Sequence, residues 1–267
     1  MPEFLPDLPD IRDNLVPYYD SLHRGDECIG AVLRALEESG ESENTLVVFL
    51  SDNGMGAIGA KATLYQAGLR TPIIVRWPGV VEGGVVDDES ILSSIDIMPT
   101  ILDAAGMPPV AGIEGQSFVE VLSGGATRAR REYAYAASNY FASSRPEHFL
   151  PHRAIIDKEY LYIWNSYVTR SKGAQRFETS WIDVIQSSLT ADHPRLLAKI
   201  EAIVDKPAEE LFDLTHDPGC WNNLAQDPAH ADTLNEYRMK LASEMESTDD
   251  PEWPLFDDQR QGVRPSD

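Results

Sequence analysis

Residues 45–54 read TLVVFLSDNG. Thr45 to Leu50 form a short apolar, β-rich run set between polar turns. Such a run reads as a strand covered on both faces inside a parallel sheet. It halts at Ser51-Asp52-Asn53-Gly54, where two oxygen-bearing side chains precede a glycine that lets the backbone turn sharply. In open α/β sheets ligands bind at the carboxyl edge of the strands, so Asp52 and Asn53 open a candidate site. A carboxylate beside an amide oxygen suits a hard cation such as calcium or magnesium and suits zinc poorly. Asp-Asn-Gly is also a common turn, and the three residues alone do not separate the two readings.

Downstream of a glycine-rich loop, Thr71 to Trp77 reads as a second strand, closed by Pro78-Gly79. Residues 94–105 read as a helix with Asp96 as N-cap, Pro99 in the first turn and Gly106 after the end. Upstream, residues 10–39 carry Leu15, Tyr18, Tyr19, Leu22, Ile29, Val32, Leu33 and Leu36 at three- and four-residue steps, the period of an amphipathic helix. Asp26 falls on that face and reads as a paired or capped buried carboxylate, and Gly40 ends the helix at the left-handed position. Strands alternating with helices give residues 1–130 an α/β layer architecture.

Composition breaks at residues 124–131, GGATRARR. Beyond it, residues 133–140, 153–156 and 160–164 read as strands, the last two joined by the turn Asp157-Lys158-Glu159. Leu211 to Leu214 is a further apolar run before the turn His216-Asp217-Pro218-Gly219. A final helix over residues 228–246 places Leu234, Tyr237, Leu241 and Met245 on one face. Residues 131–267 are therefore expected to form a small α+β domain with an antiparallel sheet.

Lys and Arg total 22 against 44 Asp and Glu, a formal charge of −22. That balance excludes a general nucleic-acid binder, which needs a basic face for phosphates. It also repels anionic substrates, so any anion site must create its own local positive potential. Cys28 and Cys220 are the only cysteines, too few for a disulfide scaffold or a thiolate zinc site. No stretch approaches the ~20 apolar residues of a membrane span, and the opening MPEFLPDLPD is unlike a signal peptide.

Nine residues after Asp52 lies Lys61, the one charge on a loop of small residues. Such a lysine is either solvated and idle or, near a divalent cation, a compact point charge that grips an anionic oxygen. TLVVFLSDNG, then AKATLYQAGLRTPIIVRWPG, then SSIDIMPTILDAAGMP and GIEGQSF resemble the second half of a sulfatase of the alkaline-phosphatase superfamily. The run ELFDLTHDPGCWNNLAQDPAHADTLNEYRMKL resembles that family's closing strand, turn and helix. Within the family the likeness is to the heparan N-sulfatase (sulfamidase) branch, carried by PDIRDNLVPYYDSLHRGDECIG and the tail after Asp217.

The resemblance implies the second half of an α/β sandwich followed by the small domain. It implies a calcium ion held by two aspartates of an N-terminal half together with the pair matching Asp52 and Asn53, and a sulfate contact from Lys61. The family's nucleophile is a formylglycine hydrate made from a Cys/Ser-x-Pro-x-Arg motif. Neither Cys28 (Cys-Ile-Gly-Ala-Val) nor Cys220 (Cys-Trp-Asn-Asn-Leu) has that context. The nearest decoy, Ser144-Arg145-Pro146-Glu147-His148, lacks the arginine and follows the Asp-Asn-Gly instead of preceding it. The chain is thus expected to begin where a full-length relative is midway, and to be inactive alone.

His148, His152 and Arg153, read as an irregular stretch before a strand, are expected at the substrate rim, where they would choose the sugar. Arg70 ties loops or meets an oxyanion. His23, His193, His216 and His230 read as surface or turn residues, and Trp221 and Trp253 as packing. Expected partners are a sulfated sugar or aryl sulfate, and either a missing N-terminal half or further copies of the chain. Family members are often exported. The alternatives are a phosphodiesterase or phosphomutase of the same superfamily, whose metal sites are richer in histidine, and a non-catalytic fragment or subunit that binds sulfated glycan. Sequence upstream of Met1 separates them.

Overall fold

A computed structural model of the chain describes residues 1–124, 131–140, 149–166, 194–204 and 206–262. The chain divides into two compact units. One holds Met1–Tyr18, Asp52–Thr71 and Tyr135–Asp267, and the other holds Tyr19–Ser51 and Pro72–Ala134. Two segments that precede residue 130 thus belong with the C-terminal sheet.

The first unit is built on a four-stranded sheet of β3 (Ala134–Tyr140), β4 (Phe149–Ile156), β5 (Tyr160–Asn165) and β6 (Glu209–Asp213), in that order. The β4–β5 and β5–β6 pairs are antiparallel, with Ala154 opposite Ile163 and Leu161 opposite Phe212. The β4–β5 turn closes where expected, because the Asp157 carboxylate accepts the amides of Glu159 at 2.9 Å and Tyr160 at 2.8 Å. Helix α5 (Pro194–Val204) contributes Leu196, Ile200 and Ile203 to a core shared with Ile163 and Phe212. Helix α6 (Ala231–Ser247) buries Leu234, Tyr237, Leu241 and Met245, the face read from its period, and α7 (Trp253–Arg260) buries Phe256 against Trp164 with ring centroids 5.4 Å apart.

In the second unit, β1 (Val47–Leu50) pairs with β2 (Ile73–Arg76) antiparallel, Val47 opposite Arg76 and Leu50 opposite Ile73. The expected parallel strand buried on both faces is not formed. Phe49 and Leu50 are 37% and 40% exposed. An apolar run shows only that a strand resists water and fixes neither the direction of its partner nor the cover on its faces; the connection over residues 51–72 holds one helical turn, α2 (Gln66–Leu69). In the same unit α3 (Ile97–Ala104) starts after a 3₁₀ turn at Ser94–Asp96. Asp96 does not cap α3 with its side chain. Its buried carboxylate accepts the amides of Ser93 and Gln116, both at 2.8 Å, and an Arg131 N–H at 2.7 Å. Helix α4 (Val119–Leu122) follows.

Helix α1 (Pro9–Glu38) has the expected extent, and Gly40 follows it with φ of 79°. Its burial differs from expectation. Only Ile11 and Leu15 are buried, whereas Leu22 is 56% and Val32 68% exposed, and Asp26 is exposed too. The apolar stripe is real, but its second half faces out. No described helix is long and apolar enough to cross a membrane.

Candidate functional site

The segment from Gly54 to Gly68 is a closed loop in the first unit. Its neck is the approach of Gly54 to Gly68, with the Gly54 N–H donating to the Gly68 carbonyl at 3.3 Å. No side chain fits there. A Cβ at position 54 would lie 2.0 Å from the Ala67 oxygen, and one at position 68 would lie 2.4 Å from the Ala60 oxygen. Ends this close and side chains packed inward make an Ω-loop, a form that is frequently functional. Ala57, Ile58, Leu64 and Tyr65 are buried in the core with α5 and β6.

Lys61 stands outside that packing. It occupies the corner of a tight turn in which Thr63 N–H donates to the Ala60 carbonyl at 3.1 Å and Ala62 has φ of 64°. This is the position that a type II turn normally gives to glycine. Left-handed backbone costs alanine on the order of 1 kcal/mol, and the Thr63 hydroxyl holds the turn by donating to the Ala60 carbonyl at 2.7 Å. Ala60 and Thr63 are buried while Lys61 and Ala62 are exposed, so the turn projects the ammonium into solvent. The Lys61 N–H donates to the Met55 carbonyl at 3.1 Å. That bond folds Lys61 back to within two residues, by chain, of Asn53, a distance on the order of 10 Å.

Asp52 is exposed and directly precedes the loop, and the Asn53 amide nitrogen donates to the Gly54 carbonyl at 2.8 Å. The pair offers hard oxygen donors, which fit calcium in kind. They do not fit it in number, since calcium takes 6–8 oxygen ligands and no group of three or more His, Cys, Asp or Glu among the described residues could hold a metal ion.

Asp52 and Asn53 thus precede the neck of the loop that carries Lys61. The expected rim residues are not placed with them. His148 lies outside the described residues, as do His193 and the decoy motif from Ser144. β4 begins at Phe149, so His152 and Arg153 stand inside a strand and not on an irregular stretch. They are 2% and 1% exposed. Arg153 spends its guanidinium on Asp250, with Nε at 2.8 Å and Nη2 at 3.0 Å, and on Asn139 Oδ1 and two backbone carbonyls. Burial, with Lys206 and Arg153 adding repulsion, pushes the His152 imidazole down to about 3, so it is neutral, and its Nδ1 is buried without a partner among the described residues. Arg70 is exposed. His23, His216 and His230 pair with acidic neighbours near the surface. Trp221 packs the N-terminus, donating to the Glu3 carbonyl at 2.8 Å.

Sequence reasoning passed over a polar group inside the same unit. Glu210 on β6 is 1% exposed, and it accepts from the Tyr65 hydroxyl at 2.7 Å and from the Asn165 amide at 2.8 Å. Burial raises its carboxyl above the ordinary value, although Lys206 and both donors oppose the shift. The only signal was a second glutamate in an apolar run, Glu209-Glu210-Leu211-Phe212, and nothing in that run marks which of the two points inward.

Two family models match in tandem: sulfatase over residues 3–107 and the C-terminal part of N-sulphoglucosamine sulphohydrolase over residues 58–173. The chain belongs to the sulfatase family. It is 30% identical to an ulvan-active sulfatase of Formosa agariphila over 90% of this chain and 39% of that protein. It is 27% identical to human N-sulphoglucosamine sulphohydrolase over 94% of this chain and 51% of that one. A solved 2-O GAG sulfatase superposes with a TM-score of 0.63 at 22% identity, over 87% of this chain and 41% of the other, which places this sulfatase chain in the alkaline-phosphatase-like fold. The chain thus spans about half or less of the length of these relatives.

Proposed function

We propose that this sulfatase chain supplies part of the active site of a sulfuric-ester or sulfamate hydrolase acting on a sulfated sugar. The observation that carries the reading is the Lys61 turn, an ammonium projected from a closed, buried loop whose neck starts directly after Asp52-Asn53. In a chain of charge −22, this is a place where a local positive potential for sulfate can be made. Lys61 holds a sulfate oxygen as a point charge. Asp52 and Asn53 would contribute two of the oxygen ligands that a calcium ion needs; no group of three or more His, Cys, Asp or Glu that could hold a metal lies among the described residues, and the sequence has no Cys/Ser-x-Pro-x-Arg nucleophile motif. A calcium ion bound there would supply charge stabilisation for the sulfate oxygens. Binding an anion does not itself lower a barrier, so this chain alone binds and does not turn over. His152 and Arg153 hold the strand and not the ligand.

The test is calorimetry of the chain with calcium and with an N-sulfated glucosamine, and turnover assays on that sugar and an aryl sulfate. Expected are weak calcium binding lost in Asp52→Ala, sugar binding lost in Lys61→Ala, and no turnover. Tight Asp52-dependent calcium binding would show that the ligand set is complete. Turnover by the chain alone would show that a nucleophile resides in it.

A further inference from the structure

The Lys61 turn is connected to the C-terminal sheet by an unbroken series of hydrogen bonds. Glu210 Oε2 accepts from the Tyr65 hydroxyl at 2.7 Å, and the Tyr65 N–H donates to Thr63 Oγ1 at 3.3 Å. The Thr63 hydroxyl then donates to the carbonyl of Ala60, the residue before Lys61, at 2.7 Å. Tyr65 also closes the other side of the loop, because its carbonyl accepts from Gly68 at 2.8 Å and Leu69 at 3.1 Å. Its ring stands edge-on to Phe212 of β6, centroids 5.7 Å apart at 80°, with Lys206 Nζ 5.4 Å from the ring centre.

A carboxylate is a poor choice for this interior on stability grounds. Taking it out of water is expensive, and a hydrophobic residue of similar volume in place of a buried charge is often neutral or stabilising. What Glu210 offers instead is direction. Its two oxygens fix two donors at once, Tyr65 from the loop and Asn165 from the end of β5. Asn165 is itself tied down, its amide also donating to the Pro207 carbonyl at 2.8 Å. The anchor is therefore rigid on the sheet side and reaches the loop through one hydroxyl.

We propose that Glu210 and Tyr65 are positioning residues that set the orientation of the Lys61 turn, so that the C-terminal sheet determines where the sulfate-binding ammonium stands. This rests on the assignment of Lys61 to sulfate, and the experiment separates the two. In the 267-residue chain, amide hydrogen exchange is read at Lys61 and Thr63 and, as internal reference, at Leu161 to Ile163 of β5. Inorganic sulfate affinity is measured on the same samples. Tyr65→Phe, which deletes only the hydroxyl, is expected to accelerate exchange at the turn about tenfold and to weaken sulfate binding about as much. The β5 amides should move less than about twofold. Glu210→Gln keeps a carbonyl acceptor for Tyr65 and should preserve most of the protection, whereas Glu210→Leu should behave as Tyr65→Phe. Equal acceleration in turn and β5 would mean general destabilisation and would overturn the proposal, as would unchanged exchange at the turn. Lys61→Ala tests the underlying assignment. Unaltered sulfate affinity in that variant removes Lys61 from the anion site while the exchange data still judge the anchor. Lost affinity in Lys61→Ala, with Tyr65→Phe indistinguishable from wild type, removes the anchor and leaves Lys61 in place.

Discussion

Gly54→Ala is expected to open the Ω-loop from its neck. The new methyl would stand 2.0 Å from the Ala67 carbonyl oxygen and 2.9 Å from both the Ala67 carbonyl carbon and Gly68 Cα. These are backbone atoms and cannot rotate away, so the two sides of the neck must separate by more than about 1 Å to restore ordinary contact distances. That displacement breaks the Gly54 N–H to Gly68 carbonyl bond, a loss of about 0.5–1.5 kcal/mol, and overpacking adds about 1–3 kcal/mol. A total of roughly 2–4 kcal/mol corresponds to a drop in Tm of roughly 5–15 °C at this chain length. The control lies two residues away. A Cβ at Gly56 meets nothing within 4 Å, so Gly56→Ala should stay within about 0.5 kcal/mol of wild type. Thermal denaturation followed by circular dichroism measures both variants, and exchange at the Lys61 amide reports whether the turn survives. If Gly54→Ala melted within about 1 kcal/mol of wild type with Lys61 still protected, the close neck would not exist as described, and equal losses in the two variants would mean that the loop resists any side chain.

Asp250→Asn should cost about 3–5 kcal/mol at pH 7 by denaturant titration, because it leaves the buried Arg153 guanidinium without its counter-charge. Asp250 is held below the ordinary value: burial opposes ionisation, and hydrogen bonds from Arg153 and Tyr135 overcome it. Its stabilisation is therefore present above the unfolded value near 3.9 and lost as pH falls through the lower folded value, so the variant should flatten the acid limb of the stability curve below about pH 4. Lys199 is pushed down to about 8 by burial. Its contribution is complete above the ordinary 10.5 and lost as pH falls through about 8, a difference of ~3 kcal/mol. Between pH 7.5 and 10, denaturation midpoints should show a gain about 2 kcal/mol larger in wild type than in Lys199→Met; equal pH slopes would contradict the assignment. Light scattering should detect concentration-dependent association through the exposed stripe of α1, reduced in a Leu22→Glu, Val32→Glu double variant; a monomer at all concentrations would show that the stripe is inert.

What could be read in the sequence was whatever depends on near neighbours. The period of α6 gave its buried face, since Leu234, Tyr237, Leu241 and Met245 recur at helical steps and need no distant partner to be recognised. The turn at Asp157 was legible for the same reason, its carboxylate serving amides two and three residues on. The pairing direction of β1 was not, because an apolar run reports that a strand resists water and says nothing of which strand lies beside it or which way that strand runs. The stripe of α1 made the same point about burial. Leu22 and Val32 are apolar at the right spacing, yet covering them requires surface that spacing cannot supply.

The site divides along the same line. Asp52, Asn53 and Lys61 could be marked because chemistry and order along the chain suffice to make them candidates. Their geometry depends on Gly68 closing upon Gly54 and on Glu210 reaching Tyr65, a hydrogen bond across 145 positions. Arg153 shows the cost of reasoning without such contacts. Beside a histidine and next to a polar stretch it has the composition of a ligand-facing residue, but Asp250, 97 positions away, takes its Nε and Nη2, and Asn139 with two backbone carbonyls takes its Nη1. A charged side chain in a strand is a ligand for solvent or substrate only when no distant carboxylate has been folded onto it, and that condition lies in tertiary structure. The same argument separates Lys61 from Lys199. Both are lysines among small or apolar neighbours, yet the Lys199 ammonium is enclosed over Trp221 at 4.0 Å and donates to a backbone carbonyl, whereas the turn at Ala62 holds Lys61 out in solvent. The left-handed backbone of Ala62, which the sequence does not announce, turns one ammonium outward, while Trp221 and the Gly219 carbonyl make the other a packing group.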